Sequence, residues 1–248
     1  MPCSRLLFAV TLGLCALGLA LPQTAHAGRR PFTWVYDTEV LPERGVELET
    51  WITQFNQRTP KDSAVWLLMP VLGLTDRVEL ALPMNVLWQQ AGGATKWTDY
   101  GAEMRIRFAS PDKEEAGKIV PYLRFGVYQP LKATAPMRAE IDAVVSADVH
   151  SRVHLSVDVG AAFDRKGDEQ AVVWGAAAAF AATDNLKLSI EHFGTKIVQT
   201  AAAAHGLAMA GPVIAYTHGR MWITFGGLYG LTDESAKQMT RLLWAVAW

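Results

Sequence analysis

Between Arg138 and Phe163, in RAEIDAVVSADVHSRVHLSVDVGAAF, two runs of strict alternation meet across a short turn. In the first, Ala139, Ile141, Ala143, Val145, Ala147 and Val149 share one face, and Arg138, Glu140, Asp142, Ser146 and Asp148 share the other. In the second, Val153, Leu155, Val157, Val159, Ala161 and Phe163 alternate with Arg152, His154, Ser156, Asp158 and Gly160. A period of two predicts strands. At about 10 to 12 residues they are long for a soluble sheet and match the roughly 9–11 tilted residues that cross a bilayer. One face is apolar and the other densely ionic. A soluble sandwich buries the apolar face and a membrane barrel turns it to lipid, so the hairpin by itself is compatible with both.

The ends of the chain favour the barrel. Met1 to Ala27 carries Arg5, then an apolar core from Leu6 to about Leu21, then Ala25-His26-Ala27 before Gly28. That order is a secretory signal peptide with a small-x-small cleavage site, too short to be kept as an anchor. Both cysteines, Cys3 and Cys15, lie in it. Leu14 stands where a lipoprotein signal has a small residue. Residues 28–44 form a second segment without clean alternation, expected as a periplasmic strap or luminal plug, with Trp34 and Tyr36 making any buried contact. Residues 45–248 form the third unit. No stretch after residue 27 reaches the ~18 apolar residues of a spanning helix, so a membrane-spanning form has to be a closed barrel.

Period two continues along this third unit. Strands are expected at Gly45–Phe55, Ala64–Leu72, Val78–Val86, Trp97–Phe108, Ile119–Tyr128, the two central runs, Val172–Ala182, Leu186–His192, Leu207–Thr217, Met221–Tyr229 and Met239–Trp248. Loops are expected at NQRTPKDS, SPDKEEAGK, RKGDEQ, GTKIVQTAAAAHG and LTDESAK. Twelve strands with both ends on one side make an all-β, antiparallel, up-and-down transmembrane barrel of the bacterial outer membrane. Trp66, Trp88, Trp222 and Trp244 are expected as an interfacial girdle. Pro70, Pro83, Pro121 and Pro212 fall inside strands of a sheet with no free edge, and call for bulges or different strand limits. A soluble β-sandwich is the competing architecture.

The last strand, RLLWAVAW, places Leu242, Trp244 and Val246 on one face and ends on Trp248 in the same register. A terminal aromatic on an alternating strand resembles the C-terminal signature by which outer-membrane barrels are read by their insertion machinery. The turn-strand units at Gly73 to Leu80 and, in degenerate form, Ala181 to Leu188 resemble those of the barrel family named for the MetA pathway of phenol degradation. The closing GGLYGLTDES and RLLWAVAW resemble that family's final hairpin. The matches cover about a third of the chain and concern barrel construction. They imply a Gram-negative, porin-like protein, with outer-membrane lipid and the insertion machinery as partners, and uptake or efflux of small aromatic solutes.

The polar faces carry the remaining chemistry. Glu103, Arg105, Arg107, Arg124, Glu140, Asp142, His154 and Asp158 are the candidate lumen-lining residues. Twelve strands lie between the roughly eight that side chains fill and the sixteen or more of open porins, so a salt-bridged filled interior and a narrow conduit both remain open. Three arginines on neighbouring strands need acids or an anion between them. His154 and Ser156 lie two apart on one strand face, about 7 Å, and HLS resembles the active strand of outer-membrane phospholipases and lipid A deacylases. Here the pair lies among charges and Val153, Leu155 and Val157 take the lipid face, so a luminal hydrogen-bond role is expected and no catalytic residue is assigned. No metal cluster, phosphate loop or nucleotide fingerprint occurs, so no cofactor is expected. With a net charge of −1 there is no basic excess for nucleic acid.

Overall fold

The structure is a computed structural model that describes residues 30–58, 62–89, 95–108, 119–166, 170–199 and 206–248. The expected signal peptide, the whole SPDKEEAGK connection, and parts of the loops beginning NQRTP, RKG and GTKIVQ lie outside the described residues.

Thirteen strand segments follow in order: β1 (Val46–Asn56), β2 (Ser63–Thr75), β3 (Val78–Ala81), β4 (Met84–Gln89), β5 (Lys96–Arg107), β6 (Val120–Pro130), β7 (Arg138–His150), β8 (Val153–Asp164), β9 (Gln170–Ala181), β10 (Leu186–Gln199), β11 (Gly206–His218), β12 (Met221–Gly230) and β13 (Gln238–Ala247). Each pairs antiparallel with its sequence neighbours, except that β3 and β4 are two halves of one strand between β2 and β5. β1 pairs with β13 over Glu47↔Ala247 to Asn56↔Gln238, which closes the sheet. The fold is a twelve-stranded closed antiparallel barrel. β1 starts and β13 finishes at one rim, called here the near end.

The alternation decides which face is outside. Val145, Val157, Val159, Ile190, Ile214 and Phe225 are 42–62% exposed, whereas Glu49, Glu103, Arg105, Asp142 and Glu191 are at most 3% exposed. Charge inside and hydrocarbon outside reverses a soluble sandwich, whose apolar faces would be packed together. The sandwich alternative is thereby overturned. Exposed aromatics gather toward both rims. Trp88, Trp97, Phe163 and Tyr229 stand toward the far end, and Phe108, Phe180 and Tyr216 toward the near end. Two such rings flanking an apolar band are how barrels meet a bilayer. The expected girdle needs one correction. Trp222 shares the inward parity of Thr224 and is 2% exposed, with its indole N–H donated to Glu47 at 3.0 Å. Trp88 is exposed, and Trp66 and Trp244 are half-buried.

The prolines sit at ladder breaks or at a ladder end. Pro83 splits the expected strand Val78–Val86 into β3 and β4. Pro70 lies opposite this break, between the pairs Val71↔Ala81 and Leu68↔Met84. Pro121 accepts from Phe108 N just past the last β5–β6 pair, where no amide is required of it. Pro212 falls where the β11–β12 ladder is interrupted, between Ala210↔Tyr229 and Val213↔Gly226. β10 runs on to Gln199, so the expected loop from Gly194 is strand for six residues, with a bulge between Ile197 and Gln199.

Residues 30–44 make no ladder, and 30–41 of them lie against the inward face of the barrel. Small residues give them room. Phe32 and Val35 pack on Ala177 and Ala179 of the alanine-rich β9. A Cβ on Gly175 would stand 2.9 Å from Val35 Cγ2, and one on Gly226 would stand 2.7 Å from Thr33 Oγ1. At the near end the chain turns into β1 through Pro42–Gly45, where Arg44 takes a left-handed φ of 64° and donates its amide to Gly73 O at 2.9 Å.

Candidate functional site

The interior is built from side chains that alternate inward on the strands just described. Arg105 of β5 is fully buried and held by three acids: Glu79 at 2.7 Å, Glu103 at 2.9 Å and Glu49 at 3.7 Å. Arg124 of β6 stands in register with it and reaches Glu103 at 3.0 Å, Glu140 at 2.6 Å and Asp142 at 2.7 Å. Glu103 thus lies between two like charges that pairing alone would set against each other. Tyr128 adds its hydroxyl to Glu103 at 2.6 Å. Gly160, opposite Asp142, leaves the space that Asp142 occupies on its way to Arg124. In a network this buried each charge depends on its partners, and losing one strands the others.

Arg107 differs from its neighbours. It is half-buried and its Nε is buried without a hydrogen-bond partner. Asp158 accepts Tyr36 N at 2.9 Å. His154 is 2.9 Å from Asp37 through Nε2 and 2.8 Å from Asp148 through Nδ1. Ser156 is buried and donates to Tyr36 O at 2.6 Å. His154 therefore spends both nitrogens on carboxylates and Ser156 spends its proton on a backbone carbonyl. The nucleophile–base contact that a hydrolase requires is not made.

Carboxylates on the strands and in the turn after β2 take several amides of residues 30–44. Glu191 accepts from Thr33 N at 3.1 Å, Trp34 N at 2.9 Å and Val35 N at 3.3 Å, and also from the Thr33 hydroxyl. Glu79 accepts from Leu41 N at 2.6 Å and Asp76 from Glu43 N at 3.1 Å. Arg30 pairs with Glu49 at 3.2 Å and lies over the Trp51 ring. The Tyr36 ring faces the Arg124 guanidinium at 4.5 Å, and burial pushes its phenol far above the usual range. Burial also acts to raise the Asp37 carboxyl, but the hydrogen bond and charge of His154 outweigh it and hold the group at about 2.

Above this segment, in the middle and far half of the lumen, lies a cavity of about 290 Å³. Trp34 and Tyr36 line it from the segment, and Trp51, Tyr128, Trp174 and Phe193 from the wall. Its charged lining includes Arg124, Arg138, Glu140, Asp142, Asp158 and Arg241. Arg241 is set on the Trp34 ring at 3.2 Å and donates to Thr53 Oγ1 at 2.8 Å and Thr33 O at 2.9 Å. Sequence reasoning missed Arg241, Trp51 and Trp174. The parity of Leu242 and Trp244 already placed Arg241 inside. Asp37 carried no signal, because its segment has no period. Among the described residues no group of three or more His, Cys, Asp or Glu is placed to hold a metal ion.

No protein-family model and no curated protein matches the chain. Solved structures do match its fold. An outer-membrane channel from Pseudomonas putida F1 superposes with a TM-score of 0.62 at 12% identity, over 88% of this chain and 100% of that one. The KdgM porin gives 0.55 at 8% identity over 81% and 98%. The NanC porin gives 0.53 at 9% identity over 82% and 98%. At these identities the likeness establishes the architecture: this chain has the closed twelve-stranded antiparallel fold of outer-membrane channels.

Proposed function

We propose that the chain is an outer-membrane channel for small solutes, with residues 30–44 closing its lumen at rest. The inverted barrel carries the reading. Its apolar belt calls for lipid, and its polar interior keeps a cavity lined by aromatic rings. Bacterial single-chain barrels keep both termini in the periplasm, so the near end is periplasmic and the cavity lies toward the cell exterior. Outer-membrane lipid and the insertion machinery are then its partners, the latter reading the strand that ends on Trp248.

Six aromatic side chains beside arginines suit a small ring-bearing solute, the class implied by the resemblance to the phenol-degradation family. The KdgM porin has been solved in complex with disordered oligogalacturonate, which makes a sugar acid the rival class. Swelling of proteoliposomes in sodium 4-hydroxybenzoate and in sodium galacturonate compares the two. Faster swelling in the aromatic acid, enhanced by deleting residues 30–41, is the expected result. No swelling and no bilayer current in either protein would make this a structural barrel.

A further inference from the structure

Asp37 anchors the luminal segment in an arrangement that depends on a proton. Its Oδ1 accepts from Thr38 N at 2.7 Å and Ser146 Oγ at 2.8 Å, and lies 2.9 Å from His154 Nε2. Its Oδ2 is buried without a hydrogen-bond partner. On the other side of the ring, Nδ1 is 2.8 Å from Asp148, which faces His154 across the β7–β8 ladder beside a bulge. A neutral imidazole has one N–H and one lone pair, and only the imidazolium donates from both nitrogens. Carboxylates at hydrogen-bond distance from both therefore describe the charged ring. Phe32, from the same segment, stacks on that ring at 6.1 Å.

We propose that Asp37, His154 and Asp148 form a proton-dependent latch that holds residues 30–44 in the lumen and loosens when His154 loses its charge. This rests on the reading of that segment as the closure of a channel. Whichever nitrogen keeps the remaining proton, Asp37 loses its counter-charge. Asp148, largely exposed, can turn to water, whereas Asp37 is buried with one oxygen already unpaired. A buried carboxylate without a cation favours leaving the site. Lys187 of β10 also acts on the pair, supporting Asp37 and opposing the imidazolium. Ala179, the partner of His154 on β9, brings no charge. The latch is therefore fastened at low pH and weakened as pH rises through the titration of the ring.

A thiol probe tests the latch without requiring conductance. Thr38→Cys in the full chain, reconstituted in vesicles, is labelled with a methanethiosulfonate reagent at intervals from about pH 6 to about pH 10.5, alone and together with His154→Gln. A nearby imidazolium lowers a thiol's pKa and would speed labelling at low pH, the opposite of the slowing that a fastened latch gives, so slower labelling of the His154 protein reports access. At the lower pH the His154 protein should label about tenfold more slowly, the change in an equilibrium that one charge-assisted hydrogen bond supports. The ratio should approach one at the higher pH. Asp148→Asn, at an exposed position that does not threaten assembly, should move the midpoint of this change to lower pH. A ratio that ignores pH, with the Asp148→Asn profile lying on that of the parent, overturns the latch. A pH-dependent ratio without bilayer current at any pH keeps the latch and removes the channel.

Discussion

Arg105 and Arg107 lie two apart on β5 and point the same way, yet their surroundings assign them different tasks. Arg105→Gln leaves Glu79 and Glu103 short of their shared cation, and should lower stability by about 3–5 kcal/mol. Arg107→Gln removes a guanidinium whose Nε has no partner, and should stay within about 1 kcal/mol of the parent. Thermal melting of the two single variants checks this, and equal melting points would contradict the assignment. Ser156→Ala removes a hydrogen bond to Tyr36 O, so it should cost about 1 kcal/mol and leave acyl hydrolysis at background. A hydrolase assay on both proteins checks that, and activity abolished by the substitution would restore the catalytic reading. The sequence located these charges but could not distribute their partners. Glu103 meets Arg124 only because strand register puts Arg105 and Arg124 side by side, and register is not visible in any one strand.

Elements with period two were legible, because each strand separates lipid from charge at every step. What escaped had a physical cause in each case. The end of β10, through Thr195 and Ile197, lost its contrast where inward charge stops, leaving only β-branched residues as a signal. Trp222 was read by its chemistry as an interfacial ring although its parity with Thr224 placed it inside. Residues 30–44 have no period because their amides are satisfied by Glu191, Asp158, Glu79 and Asp76, side chains as much as 158 residues away. The glycines and alanines facing them were the readable trace. Gly226→Val sets branched bulk where Thr33 lies and should displace the segment while leaving the lipid-facing belt untouched. Bilayer current should rise toward that of a protein lacking residues 30–41, and the unheated gel mobility of a closed barrel should persist. Unchanged current with a lost barrel band would mean the glycine serves the wall rather than the segment.

The whole molecule sets the charge that a passing ion meets. With the segment in place, Arg30 answers Glu49, and the amides of Thr33, Trp34, Val35, Tyr36 and Leu41 answer Glu191, Asp158 and Glu79. Displacing the segment removes those donors together with the Arg30 cation and the Asp37 carboxylate, while the carboxylates that held its amides stay on rigid strands. Arg105 and Arg124 remain tied to Glu79, Glu103, Glu140 and Asp142, so they do not offset the change. Fixed charge in a narrow, partly desolvated lumen acts strongly on an ion. The opened barrel should therefore prefer cations. In a potassium chloride gradient across a planar bilayer, the Gly226→Val protein should show a reversal potential displaced toward that of potassium. The displacement should shrink at high salt, where screening lengths fall to a few ångströms. Glu191→Gln added to that background should reduce it further, since Glu191 holds three of those amides and loses all of them when the segment leaves. A reversal potential on the chloride side would mean that the arginine cluster, rather than the acids that held the segment, governs the open lumen.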